Sequence, residues 1–317
     1  MQGLHLGQEI YLFFNKSGGM GLIGIIISIL ILAFIIYKVL KISYKNSDIN
    51  TYSNFINKIM SKKNITTIIQ NVINMFLIIS FYIMVAGFAT YFKQEFGINI
   101  FLGSSTIAIF CYVTFNKDIS GVIKVNSFVV PAIIGLIVLL GITQMDNIQN
   151  TKLIFYDFTF NWGVSGILYA SYNSILLIPM LISLKNGVKE EKHIKIISIV
   201  CMIILLVLSI VIFLLIETIE NPENIEMPLV YIAGNLKVIY KYLYGIVILS
   251  SIFTTAISAG YGFLNNVAKN KKVYSYLNLF ICTSSILVSN IGFSNLINYL
   301  YPIFGVLGMV QIIFIIK

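Results

Sequence analysis

Arginine is absent from this sequence, and all 21 basic residues are lysines. Its absence excludes the bidentate guanidinium contacts that many nucleic-acid and nucleotide sites use. The three cysteines, Cys111, Cys201 and Cys282, are dispersed in apolar segments without a CxxC pair or Cys/His cluster, and we interpret them as small buried apolar residues. The sequence contains two histidines and no Walker loop, zinc motif or nucleophile elbow. We therefore expect no enzyme, no catalytic residues, no metal site and no covalent cofactor.

Charged residues are also scarce, at 10% of the chain, whereas 58% of the residues are hydrophobic and the mean hydropathy is +0.92. A soluble domain of 317 residues does not have this composition, so the sequence predicts an all-α, polytopic membrane protein. The apolar runs predict about 9.5 transmembrane helices, namely a half-span at Gly3–Phe14 and nine full spans. The full spans are Gly18–Tyr37, Thr66–Phe92, Ile98–Phe115, Val122–Thr143, Gly163–Leu184, Ile194–Ile216, Tyr242–Val267, Val273–Ser289 and Leu296–Ile316. Shorter amphipathic stretches lie at Thr51–Met60 and Pro228–Tyr240.

The lysines are distributed unevenly between the connections. Sixteen of them lie in the 2–3, 4–5, 6–7 and 8–9 connections and at the C-terminus, and the opposite side holds only Lys16, Lys93, Lys152, Lys237 and Lys241. By the positive-inside rule, the 2–3 loop and the C-terminus are cytoplasmic and the acidic loop 217–226 is outside. The net charge of +9 is thus interpreted as an insertion signal for the cell membrane, and no nucleic-acid partner is expected.

The first apolar stretch, GLHLGQEIYLFF, is too short to cross a bilayer and contains Gln8 and Glu9. A carboxylate in such a segment normally faces a cavity or the interior of a helix bundle. We interpret Gly3–Phe14 as the outer half of a broken helix that lines a solute site, with Gly3 and Gly7 permitting the unwound turn.

A second interruption is predicted in the span Gly163–Leu184, where Tyr169-Ala170-Ser171-Tyr172-Asn173-Ser174 is small and polar at mid-depth. Each interrupted span is followed by four full spans. Because five is odd, the second unit enters the membrane from the opposite face, which predicts an inverted repeat of residues 1–143 and 162–317 within a single transmembrane domain. Solute sites in such proteins lie at the discontinuous helices.

The opening GLHLGQEIYLFF, followed by Gly18-Gly19-Met20-Gly21, resembles the YkvI-type membrane proteins, and so does Glu226-Met227-Pro228-Leu229. That resemblance implies the LeuT-fold, or amino acid–polyamine–organocation, group of five-plus-five inverted-repeat transporters, many of them driven by sodium or protons. Two departures matter. Leu4, His5 and Leu6 stand where the family has small residues, and the inner half of helix 1 is absent, which suggests a start site further upstream or a truncated product.

The candidate solute-binding residues each have a structural alternative. Glu9 and Gln8 are predicted to bind a solute ammonium or a coupling proton, or else to be hydrated in an outer vestibule. Gly3 and Gly7 offer backbone groups, or form a GxxxG packing face. His5 is a proton carrier or simply hydrogen-bonded. The polar run of the sixth span faces the solute or serves helix packing, and its four candidate residues are Tyr169, Ser171, Tyr172 and Asn173.

The candidate ion site is a hydroxyl trio, Ser251, Thr254 and Thr255, whose spacing puts it on one helical face. In the LeuT group, a similar trio on helix 8 helps to bind sodium opposite helix 1, and oxygen ligands suit a hard cation. The alternative is that these hydroxyls bond back to carbonyls one turn earlier.

The sequence therefore predicts a secondary transporter of a small solute, an amino acid or related amine, with Na⁺ or H⁺ as the coupling ion and the lipid bilayer as its surroundings. The alternatives are a non-transporting, germinant-receptor-like subunit on the same fold and an inactive truncated transporter.

Overall fold

The computed structural model describes residues 7–46, 48–49, 52–60, 63–117, 120–151, 153, 161–236 and 238–316. Within these residues all the regular structure is helical, which confirms the all-α prediction. The α-helices are α1 (Gln8–Phe13), α2 (Gly21–Lys45), α3 (Tyr52–Met60), α4 (Lys63–Phe96), α5 (Ile100–Phe115), α6 (Ser120–Thr143), α7 (Met145–Asn150), α8 (Asn161–Leu184), α9 (Glu191–Glu217), α10 (Pro228–Gly234), α11 (Val238–Val267), α12 (Lys271–Val288) and α13 (Phe293–Ile316).

Several of these helices are long and apolar enough to cross a membrane. In the described part of the chain, five helical stretches meet that requirement: Asn15–Lys45, Thr67–Phe96, Glu191–Glu217, Val238–Val267 and Phe293–Ile315. Two shorter apolar helices cover Ile100–Phe115 and Phe128–Thr143. The multi-pass prediction is therefore confirmed, although helix ends differ from the sequence estimate; α2, for example, continues past Tyr37 to Lys45.

Large apolar side chains cover the outside of the bundle. On α9, Ile196, Ile199, Val200, Ile203 and Val207 are all exposed, and their spacing places them along one face of the helix. Water would make such a stripe unfavourable, whereas hydrocarbon tails solvate it without cost. This face of α9 is therefore a lipid-facing surface.

Helix α8 lies between α2 and α13 and packs closely against both. A Cβ atom on Gly166 of α8 would lie 2.7 Å from the Gly24 carbonyl oxygen of α2, and one on Gly308 of α13 would lie 2.2 Å from the Ser171 carbonyl oxygen. Glycines at these contacts let the backbones touch, as is common between membrane helices. The tight packing fixes the depth and rotation of α8, and with them the positions of its tyrosines.

Candidate functional site

Helix α1 begins at a glycine in the left-handed conformation. Gly7 has φ 84° and its carbonyl accepts the first hydrogen bond of the helix, from Tyr11 N at 3.0 Å. A Cβ atom there would lie 3.2 Å from Leu229 Cγ and 3.4 Å from Pro228 Cβ, so a side chain would be both strained and crowded. Gly7 thus forms a left-handed turn at the start of α1, and its role in binding a solute stays a prediction; Gly3 and His5 lie outside the described residues.

The carboxylate of Glu9 is completely buried, with 0% of the residue exposed. The hydroxyl of Tyr172, on α8, donates a hydrogen bond to Glu9 Oε2. Tyr301, on α13, also interacts with this carboxylate through its hydroxyl. The alternative of a hydrated vestibule position for Glu9 is therefore wrong in this conformation, because three helices exclude water from the carboxylate.

Aromatic rings enclose the Glu9 carboxylate. Phe13 stacks on Tyr172 at a centroid distance of 5.5 Å, and Tyr172 stacks on Tyr301 at 4.7 Å. Tyr169 meets Phe13 edge to face at 5.5 Å and Phe14 at 5.0 Å. The i, i+3 spacing of Tyr169 and Tyr172 turns both rings toward α1. The result, which we call the aromatic cage, is the Glu9 carboxylate together with the mutually packed aromatic side chains Phe13, Tyr169, Tyr172 and Tyr301.

The neighbouring Gln8 joins a second polar group, separate from the cage. Gln8 is 1% exposed and its Nε2 donates to Ser294 Oγ, in the first turn of α13, at 2.6 Å. The backbone N–H of Ser294 donates to Glu226 Oε2 at 3.3 Å, and Thr90 Oγ1 donates to the same oxygen at 3.4 Å. Glu226 belongs to the segment before α10 and stabilises the N-terminal end of α13, where a negative charge is favourable.

The predicted break in the sixth span is wrong. Helix α8 runs without interruption from Asn161 to Leu184. Ser171 Oγ donates to the Ile167 carbonyl at 2.7 Å, and Asn173 Nδ2 donates to the Tyr169 carbonyl at 3.0 Å. These side chains bond back to their own helix. The side chains of the polar run therefore donate hydrogen bonds to backbone carbonyls of an intact helix. They do not indicate a place where the helix unwinds and leaves its carbonyls unpaired.

The four candidate residues of this helix divide into two pairs. Tyr169 and Tyr172 lie in the aromatic cage, and their contact with a solute stays a prediction. Ser171 instead packs its backbone against Gly308, which is the helix-packing alternative considered from the sequence. The side chain of Asn173 is buried and used by the local helix bond, so it too has a structural role here.

The hydroxyl trio of α11 lies apart from the aromatic cage. Ser251 and Thr254 are buried and Thr255 is half-buried. Thr254 Oγ1 donates to the Ser251 carbonyl at 3.1 Å, which is the local bonding expected of a structural hydroxyl. Helix α11 packs mainly on α4 and α6, whereas α1 packs on α8, α9 and α13. The sodium assignment for this trio stays a prediction.

Asn298 also belongs to the second polar group, because its Nδ2 donates to Ser294 Oγ at 3.4 Å. Sequence reasoning missed Tyr301, Ser294, Asn298 and Thr90 as members of these groups. A signal for the first three was present, because Ser294, Asn298 and Tyr301 recur at i, i+4, i+7 within an otherwise apolar span and therefore share one helical face. Nothing in the local pattern around Thr90 distinguishes it from the many other hydroxyls of the membrane helices.

Comparison with known proteins identifies relatives that extend over nearly the whole chain. YkvI of Bacillus subtilis (strain 168), an uncharacterized membrane protein, is 25% identical over 311 residues, which cover 97% of this chain and 89% of YkvI. YyaD of the same organism is 23% identical over 313 residues, with the same coverage of each chain. No family model matches the chain. The resemblance suggested by the GQE stretch is thus confirmed, and the chain is an all-α, polytopic membrane protein homologous to YkvI.

Proposed function

We propose that this protein is a secondary transporter of a small solute with an ammonium group, an amino acid or related amine, and that Glu9 and the aromatic cage bind that group. The observation that carries the proposal is the complete burial of the Glu9 carboxylate between α1, α8 and α13. Ionisable residues inside membrane helices are costly and mark solute or proton pathways.

The chemistry around Glu9 suits an organic cation. A carboxylate supplies the opposite charge, and the hydroxyls of Tyr172 and Tyr301 supply polar groups beside it that could also contact an ammonium solute. In the conformation described here, the Tyr172 hydroxyl occupies the carboxylate. A solute ammonium would replace this hydroxyl as the hydrogen-bond donor.

The packing of the helices supports the inverted repeat that alternating access requires. The predicted repeats pair α2 with α9, α4 with α11, and α5 with α12, and in each case the two counterparts pack against one another. The contact of α4 with α13 likewise has its counterpart in the contact of α11 with α6. If a pseudo-two-fold axis relates the two repeats, each contact between two helices should have a matching contact between their counterparts in the other repeat.

A receptor that binds the same solute without moving it is the second candidate. The continuous α8 favours it, because a transporter of the expected type would use an interruption in this helix to change access. Both candidates share the Glu9 site, so they differ in flux and not in binding.

The test is uptake by purified full-length protein in liposomes. Radiolabelled amino acids and the diamine putrescine are supplied one at a time, under an inward sodium gradient, an inward proton gradient or no gradient. We expect gradient-driven uptake of at least one probe, and its loss in Glu9→Gln. Tyr301→Phe should retain uptake with a weaker apparent affinity.

The matched control is Glu217→Gln. Glu217 is also a partly buried carboxylate, bound by Asn15 Nδ2 at 2.8 Å, but it lies at the end of α9, outside the aromatic cage. Uptake unchanged in Glu9→Gln would refute the assigned site. Saturable binding that is lost in Glu9→Gln, without flux under any gradient, would establish the receptor instead.

A further inference from the structure

The hydroxyl of Ser294 holds two carboxamides at once. Its oxygen accepts from Gln8 Nε2 at 2.6 Å and from Asn298 Nδ2 at 3.4 Å. A hydroxyl oxygen has two lone pairs, so both are used by these donors. Because each amide presents its nitrogen to Ser294, its carbonyl oxygen is turned away from that hydroxyl.

Both of these amide oxygens are buried and have no hydrogen-bond partner. Gln8 Oε1 and Asn298 Oδ1 are each shielded from solvent, and among the described residues no donor reaches either atom. Exchanging the nitrogen and oxygen of one amide lets Ser294 donate to that amide, but its nitrogen then faces the position of the unpaired oxygen, and exchanging both leaves one oxygen without the Ser294 proton. Buried polar atoms are normally satisfied, so two unpaired oxygens beside one hydroxyl indicate a missing positive or proton-donating group.

The same serine that holds the two amides also binds a carboxylate. Glu226 Oε2 is 3.3 Å from Ser294 N, and covalent geometry keeps the Gln8 and Asn298 oxygens within about 6 Å of Ser294 Oγ. Both carboxylate oxygens also lie close to the Gly292 turn, at 3.9 and 4.0 Å from the position of a Cβ atom on that glycine. Among the described lysines, none forms an ion pair with Glu226.

We propose that Gln8 Oε1, Asn298 Oδ1 and the Glu226 carboxylate form a binding site for a monovalent cation, Na⁺, where α1, α13 and the segment before α10 meet. Carbonyl and carboxylate oxygens are the ligands that hard cations prefer. A single carboxylate with two neutral amides balances one positive charge, which favours a monovalent over a divalent ion.

This site differs from the hydroxyl trio of α11 in the hydrogen bonding of its polar groups. Thr254 already donates to a carbonyl of its own helix, whereas the Gln8 and Asn298 oxygens accept no hydrogen bond. The inference relies on the proposed function only for the role of the ion as a coupling ion. Because Gln8 adjoins Glu9 on α1, sodium bound here would steady the helix that carries the solute carboxylate.

The experiment measures sodium binding by the purified full-length protein in detergent, without any solute. Thermal unfolding is followed in NaCl, KCl and choline chloride at constant ionic strength, and ²²Na⁺ binding is measured directly. A ligand that binds only the folded state stabilises it by RT ln(1 + [L]/Kd), so the melting temperature rises with ligand concentration. We expect sodium to raise it, choline not to, and Asn298→Leu to lower the sodium affinity by about tenfold or more.

Asn298→Asp distinguishes a cation ligand from a structural amide. It places a second carboxylate oxygen at the site, so sodium affinity should rise, although a purely structural role would make this variant merely less stable. The matched control is Asn295→Leu, since Asn295 is exposed on the same turn of α13 and donates only to the Ile291 carbonyl. Its sodium response should equal that of the natural sequence.

Several results would overturn the site. They are equal stabilisation by sodium and choline, ²²Na⁺ binding that is insensitive to Asn298→Leu and Asn298→Asp, and ²²Na⁺ binding that is lost in Thr254→Val but kept in both Asn298 variants. If Glu9→Gln abolishes uptake but still binds sodium, the solute site and the sodium site are separate. If the protein binds sodium but takes up none of the probes, the sodium site is supported and the transport proposal is refuted.

Discussion

Replacing Tyr172 by Phe removes one hydroxyl and leaves the ring in place. The ring keeps its stacking on Phe13 at 5.5 Å and on Tyr301 at 4.7 Å, so the change isolates the hydrogen bond to Glu9. A hydrogen bond to a carboxylate contributes about 1.5–3 kcal/mol, and we expect Tyr172→Phe to destabilise the protein by about 2 kcal/mol. With Glu9→Leu already present, the same change should cost close to nothing, because the hydroxyl then has no carboxylate to bind.

The assay is a double-mutant cycle. The purified protein in mixed micelles is unfolded with increasing SDS, and the free energy of unfolding is measured for the natural sequence, the two single variants and the double variant. We expect a coupling energy of about 1–3 kcal/mol between Glu9 and Tyr172, as for other residues in direct contact. The control cycle pairs Glu9→Leu with Tyr82→Phe, since Tyr82 shares a hydrogen bond with Ser284 at 2.8 Å. Additive effects for Glu9 and Tyr172, equal to those of the control, would refute the buried tyrosine–carboxylate contact.

Three further predictions concern packing and the membrane. Gly308→Ala should lower the free energy of unfolding by about 1–3 kcal/mol, because its Cβ would lie 2.2 Å from a backbone oxygen. Its control is Gly135→Ala, which has no atom within 4 Å of the added Cβ and should be neutral or stabilising. Both variants are measured by SDS unfolding, and equal effects would contradict the α8–α13 contact. Gly7→Ala should cost about 1–3 kcal/mol through its φ of 84°, measured in the same way, and an unchanged stability would mean that the left-handed turn is not required. Ile203→Lys should raise the apparent free energy of membrane insertion of α9 by about 2.5–3.5 kcal/mol in a translocon assay, and unchanged insertion would contradict its lipid-facing position.

The local pattern of residues was enough to predict that the chain is a multi-pass, all-α membrane protein. Apolar length is a property of each segment by itself, so Glu191–Glu217 or Val238–Val267 can be recognised without knowing any neighbour. The same holds for Gly7 and Glu9, since a carboxylate inside an apolar stretch is conspicuous in one dimension. These features allowed the residues that α1 contributes to the candidate site to be predicted from the sequence.

The prediction of an interruption in α8 was wrong because composition alone does not show whether small polar residues mark an unwound turn or bond within an intact helix. Ser171 and Asn173 occur both where a helix unwinds and where an intact helix accepts side-chain bonds from its own turn. The choice depends on Gly308 of α13, whose contact with the Ser171 carbonyl forms only after helices distant in sequence have packed.

From its sequence alone, this protein is determined to be a helical membrane protein with a costly carboxylate near its beginning, because hydropathy and charge act residue by residue. Only the tertiary structure decided what surrounds that carboxylate. Tyr172 and Tyr301 reach Glu9, and Ser294 and Glu226 reach Gln8, across long separations in the chain. Those partners are set by which helix faces meet, and the faces are chosen by close backbone contacts at glycines together with the burial of all the polar groups at once.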